Sequence, residues 1–108
     1  MVKYFASFDH TNGSDNEETV LTLTSCEEEK IKIDAIHILS ETNEGILTWY
    51  IEREKIGEHR TGVATIQNEL IREVNAALEV GKTFKITLRN KISGTNAAVV
   101  GAVAYEIT

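Results

Sequence analysis

The chain is predicted to fold as an antiparallel β-sandwich, jelly-roll-like, with six to eight short strands. Three observations predict it. Segments of alternating apolar and polar residues recur along the 108 residues, several of them rich in Val, Ile and Thr, which suit a half-buried pleated surface. Clusters of Gly, Asn, Asp and Glu separate these segments at near-regular spacing, the pattern of a sandwich rather than of strands alternating with helices. Apolar residues make up 42% of the chain and no linker or repeat divides it, so residues 1–108 are expected to share one core.

Val2, Tyr4 and Ala6 alternate with Lys3, Phe5 and Ser7, which reads as a first strand. Residues 9–18 are the most polar stretch and contain the turn-favouring pair Asn12-Gly13. Residues 19–24 (TVLTLT) are β-branched and alternating, a second strand, and 25–29 read as a turn. Residues 30–40 (KIKIDAIHILS) open with Ile31 and Ile33 on one face, then become apolar on both faces at Ile36, Ile38 and Leu39. That is the pattern of a strand passing from an edge into a covered part of a sheet. Residues 41–45 have turn chemistry, and 46–54 return with Leu47, Trp49 and Ile51 on one face, so these two strands are expected to pair as a hairpin. Residues 55–60, which include Gly57, read as a further turn, and 62–67 as a short strand.

The segment 68–80 carries two readings. Leu70, Ile71, Val74, Ala77 and Leu78 share one helical face, Asn68 can cap the start, and Gly81 falls where a left-handed residue closes a helix. As a strand, the same residues would put Arg72 on a face with Leu70 and Val74. The local pattern favours a short helix at about 68–80, and the all-β setting favours a strand. Residues 83–89 then place Phe84, Ile86 and Leu88 inward. In the final strand, 97–108, Val99, Val103, Tyr105 and Ile107 share a face around Gly101, a glycine that marks a bulge or the close approach of another backbone.

The chemistry is sparse. A net charge of −6, with 11 Lys and Arg scattered along the chain, argues against nucleic acid as a partner, since phosphate binding draws on clustered cations. No apolar run approaches the roughly 18 residues of a membrane span, so no membrane insertion is expected. Met1-Val2-Lys3-Tyr4-Phe5 lacks the pattern of a signal peptide, which leaves the cytoplasm as the default location. Cys26 is the sole cysteine and lies beside Glu27, Glu28 and Glu29, whose charge disfavours a reactive thiolate.

His10, His37 and His59 have neither H-x-H nor H-E-x-x-H spacing. His37, in an apolar strand, is expected to be packed, and His10 and His59, in polar turns, to be solvated. With no nucleophile elbow, no phosphate-binding glycine loop and no C-x-x-C, neither an enzyme nor a cofactor is expected. Asp9, Asn12, Asp15, Asn16 and Glu17 supply oxygen ligands for a candidate calcium site, though their spacing departs from that of an EF-hand and a solvated loop is the competing reading. Trp49 and Tyr50 are neighbours on a strand and point to opposite faces. One is expected in the core and the other exposed, where it could stack on a sugar ring; the two are the candidate ligand-binding residues.

Four stretches, 30–38 (KIKIDAIHI), 45–51 (GILTWYI), 78–86 (LEVGKTFKI) and 97–108 (AAVVGAVAYEIT), carry a pattern that runs from Lys30 onward. Their pattern resembles small β-sandwich accessory proteins of tailed viruses of bacteria and archaea, found as head decorations, fibres and tail appendages. A helix at 68–80 would depart from it. The resemblance implies a structural protein that associates with copies of itself or with other assembly proteins, and a place in a virion. The alternative expectation is a small ligand-binding sandwich, for carbohydrate.

Overall fold

The structure, a computed structural model, describes residues 2–42, 45–61, 70–90 and 96–108, and the strand expected at 62–67 lies outside them. The described residues form eight strands: β1 (Val2–Asn12), β2 (Glu18–Thr24), β3 (Ile31–Thr42), β4 (Gly45–Ile51), β5 (Glu54–Thr61), β6 (Leu70–Ala77), β7 (Thr83–Asn90) and β8 (Ala97–Ile107). They build two antiparallel four-stranded sheets, ordered β1-β8-β3-β6 and β2-β7-β4-β5. This is the jelly-roll order, in which the first and last strands pair and most successive strands alternate between sheets. The sequence's prediction of an antiparallel sandwich holds.

Period-two alternation sets the core. From the first sheet, Phe8, Ile33, Ile36, Ile38, Val99 and Val103 point inward; from the second, Leu47, Trp49, Phe84, Ile86 and Leu88 meet them. Register aligns these into rows, with Leu47 opposite Leu88, Trp49 opposite Ile86 and Ile51 opposite Phe84. Asn12 closes the corner where β1 leaves the first sheet. Its buried amide donates to the Leu88 carbonyl at 2.8 Å and to the Asn16 carbonyl at 2.9 Å, and its Oδ1 accepts from the Ser14 amide at 2.7 Å.

Three local expectations are corrected. The segment over 70–77 is the strand β6, not part of a helix, because β3 offers it a ladder: Ile38 faces Leu70, His37 faces Ile71 and Ile33 faces Ala76. The helical spacing of its apolar residues fits a strand equally well, since Leu70, Val74 and Leu78, each four residues apart, share one face of either element; Asn75 takes φ 51° at an irregularity in the ladder without changing that face. Gly81 does adopt φ 86°, but in the turn joining β6 to β7. Second, β3 and β4 do not form a hairpin. β3 is flanked on both sides by β8 and β6, which leaves it no free edge, and β4 crosses to the other sheet between β7 and β5. Third, 55–60 is not a turn but the body of β5; the chain reverses at Glu52 and Arg53 instead, with Glu52 at φ 56°. Gly57 serves packing there, since a Cβ on it would meet the Trp49 ring at 2.5 Å.

The four edge strands differ. β2 pairs with a register shift between Thr19 and Leu21, β5 with one opposite Trp49 and Tyr50, and β6 with the irregularity at Asn75. Such bulges twist an edge away from further pairing. β1 pairs with β8 in unbroken register over all eleven residues, from Val2 opposite Ile107 to Asn12 opposite Ala97. Its outer edge has no neighbouring strand among the described residues.

Candidate functional site

Trp49 lies in the core at 5% exposure with its ring over Gly57, so it offers no stacking face and is removed as a ligand-binding candidate. Tyr50 projects from the outer face of the second sheet, half-buried. Its hydroxyl donates to both carboxylate oxygens of Glu17 at 3.0 Å, and Lys85 sits 5.1 Å from its ring centre. Thr87 donates to the same Glu17 carboxylate at 3.2 Å, and Arg89 clasps Asp15 at 2.9 and 3.3 Å. The acidic loop is thereby fastened onto this sheet.

Most members of the calcium candidate are engaged with protein partners. Asn12 is buried and spent on the backbone, Asp15 is held by Arg89, Glu17 is held by Tyr50 and Thr87, and Asp9 is an exposed residue on β1. Among the described residues no group of three or more acidic, His or Cys side chains is placed to hold a metal ion.

The Tyr50 hydroxyl has its pKa raised, first by burial and then by its hydrogen bond to Glu17 and the charge of that carboxylate. A raised tyrosine pKa means that the folded chain holds this proton more tightly than the unfolded one. The stabilisation is therefore complete below tyrosine's ordinary range and is lost as pH rises through the folded value. Glu17→Gln is expected to move the Tyr50 titration down toward the ordinary value, read by ultraviolet difference absorbance on alkaline titration. No movement would show that the Glu17 contact does not operate in solution.

All three histidines depart from expectation. His59 is not solvated: it stands on β5 at 6% exposure, between Glu41 of β3 and Arg72 of β6. An Arg72 Nη2–H donates to Nδ1 at 3.0 Å, which places the ring proton on Nε2, and that N–H donates to Glu41 Oε2 at 2.7 Å. The Glu41 side chain is 3% exposed. The strand reading that seemed to misplace Arg72 thus gives it a partner on the opposite sheet. His37 is not packed inward but stands half-buried on the outer face of the first sheet, its ring edge-on to Phe5 at 5.4 Å. His10 is partly buried and bonded to Glu18 at 2.9 Å.

That outer face holds a concavity of about 330 Å³. Its floor is small, with Ala104 of β8 and Ala35 of β3 lying side by side. Phe5 on β1 and Ile71 on β6 rise on either side, 66% and 50% exposed. Asp34, Glu73, Asn75 and Glu106 add polar groups, and Lys3 stands beside Glu106 at 3.7 Å. Sequence reasoning missed this site because its members come from four strands that only the topology brings together. The one local signal was the run of alanines in β8, whose outward positions include Ala102 and Ala104.

The fold defines the class, an eight-stranded jelly roll. No family model and no curated protein matches the chain. Among solved structures it is similar to the insecticidal delta-endotoxin Cry8Ea1 from Bacillus thuringiensis, with a TM-score of 0.52 and 15% sequence identity over 93% of this chain and 19% of that one. The chain thus spans about a fifth of that toxin's length, and likeness at this identity is one of fold. No helix among the described residues is long and apolar enough to cross a membrane.

Proposed function

We propose that this chain is a non-enzymatic assembly module that associates with a second copy of itself through the outer edge of β1, which no strand among the described residues covers. The observation that carries the reading is the contrast among edges: three are interrupted by register shifts, and β1 alone runs unbroken for eleven residues. An unprotected edge presents a row of backbone donors and acceptors to another strand. The first half of β1 adds apolar surface, with Val2 53% and Tyr4 42% exposed, and Tyr4 stacks on Tyr105 at 5.5 Å, which holds its ring in place. Antiparallel pairing of β1 with its own copy is self-complementary and closes on a two-fold axis. A virion shell or appendage, the setting of the small sandwich proteins that the sequence resembles, is the assembly such a module suits.

Light scattering on a sizing column is expected to give twice the 12.0 kDa chain mass or a higher multiple. Val2→Lys and Tyr4→Lys should each return the chain to monomer, and amides on the outer edge of β1 should exchange faster with solvent in those variants. A wild-type chain that stays monomeric, with those amides already unprotected, would refute the β1 interface.

A further inference from the structure

We infer that the concavity on the outer face of the β1-β8-β3-β6 sheet is a binding site for a neutral saccharide, with Phe5 as the platform and Glu106 as the hydroxyl acceptor. The inference does not rest on the β1 interface: it uses Phe5 and Glu106 rather than the strand's edge, although Tyr4 borders both. Its volume of about 330 Å³ falls within the range of small-molecule sites, roughly 300–1,000 Å³.

Phe5 is a large aromatic left 66% exposed, with its ring oriented by the edge-on contact to His37. The alanine floor at Ala35 and Ala104 lets a flat ring approach the sheet beside it. A pyranose has an apolar C–H face suited to such a ring and a rim of hydroxyls that need partners.

Glu106 supplies partners. Its side chain is 8% exposed, it lines the concavity, and its nearest charge among the described residues is Lys3 at 3.7 Å, too far for a hydrogen bond. A carboxylate accepts through two oxygens, so it can take hydrogens from two adjacent hydroxyls.

Charge narrows the ligand further. Asp34, Glu73 and Glu106 outnumber Lys3 in the lining, which disfavours phosphates, sulfates and uronic acids. The Lys3 ammonium occupies the flank of Glu106, where a cationic ligand would otherwise seat. Peptide is disfavoured for another reason. The site lies on the face of the sheet, where backbone groups are consumed by the ladders β1–β8, β8–β3 and β3–β6, so it cannot add an extended chain as a strand.

The test is a printed array of neutral and anionic glycans, followed by NMR titration of methyl glycosides of the neutral sugars into the full chain. Saturable shifts confined to the amides around Phe5, His37 and Ala104 are expected. Phe5→Ala should weaken binding by about tenfold while leaving the melting temperature nearly unchanged, because the ring is mostly exposed. Glu106→Gln should weaken it as well, and Tyr50→Ala, on the other sheet, should not. If no neutral glycan binds, if anionic glycans bind better, or if the shifts gather at Tyr50, the assignment is overturned. Binding that persists in Phe5→Ala would overturn it equally.

Discussion

Gly101→Ala is expected to destabilise the chain by about 3 kcal/mol, the upper part of the range for forcing atoms into a packed interior. Gly101 lies in the middle of β8, between Phe8 of β1 and Ile38 of β3, and is buried. A Cβ there would overlap the carbonyl oxygen of His37 and stand 2.8 Å from the Phe8 ring. The first obstacle is backbone in the neighbouring strand, which cannot turn aside as a side chain can. The sheet would have to open at the point where β3 already shifts register around Leu39. At roughly 4–8 °C per kcal/mol for a domain near this size, the melting temperature should fall by about 15 °C in a thermal scan followed by circular dichroism. Ala102→Gly, one position along and on the outer face, should cost only about 0.5–1 kcal/mol through backbone entropy. Equal effects at the two positions would mean that β8 does not approach β3 as closely as its register requires.

Glu41→Ala is expected to cost about 2 kcal/mol, because it leaves the buried Nε2–H of His59 without its charged acceptor. Glu41 and His59 hold the two sheets together by a 2.7 Å hydrogen bond, with side chains only 3% and 6% exposed. Arg72 approaches from the edge of the first sheet and is itself exposed, so Arg72→Ala should cost about 1 kcal/mol. Urea unfolding of Glu41→Ala, His59→Ala and the double variant measures the coupling directly. A non-additivity above about 1 kcal/mol is expected for groups in one network. Strict additivity would show that the two residues contribute separately and that the inter-sheet bond is not formed in solution.

Most strands were legible because alternation over six or more residues is a strong signal wherever one face is buried. Phe84, Ile86 and Leu88 on β7, and Val99 and Val103 on β8, were placed inward by that rule, and all five are at 0% exposure. The failures share a cause. Which strand neighbours which depends on contacts far apart in sequence, and no local pattern records that β3 has β8 and β6 at its sides. The same blindness makes β6 a candidate helix, since Leu70, Val74 and Leu78, spaced by four, share a face in a helix and in a strand alike, and only the ladder to β3 decides between them. The expectation that His59 is solvated follows from reading 55–60 as a turn; in a strand, alternation turns it to the opposite face from Glu58 and Arg60. The groove around Phe5 was illegible altogether, being assembled from β1, β3, β6 and β8.

The pairing of β1 with β8 also governs when the fold can form. Val2 opposite Ile107 and Asn12 opposite Ala97 are contacts between the two ends of the described chain, and β8 is an interior strand whose other side carries β3. During synthesis, β1 and β3 emerge with no strand between them, and the first sheet must wait for β8 before it can close. Chains dominated by such distant pairings fold in milliseconds to seconds rather than microseconds. Through that interval β1, an eleven-residue strand without a break in register, stands unpaired on both sides, which makes the stage before β8 arrives, rather than the finished sandwich, the period of greatest exposure to aggregation.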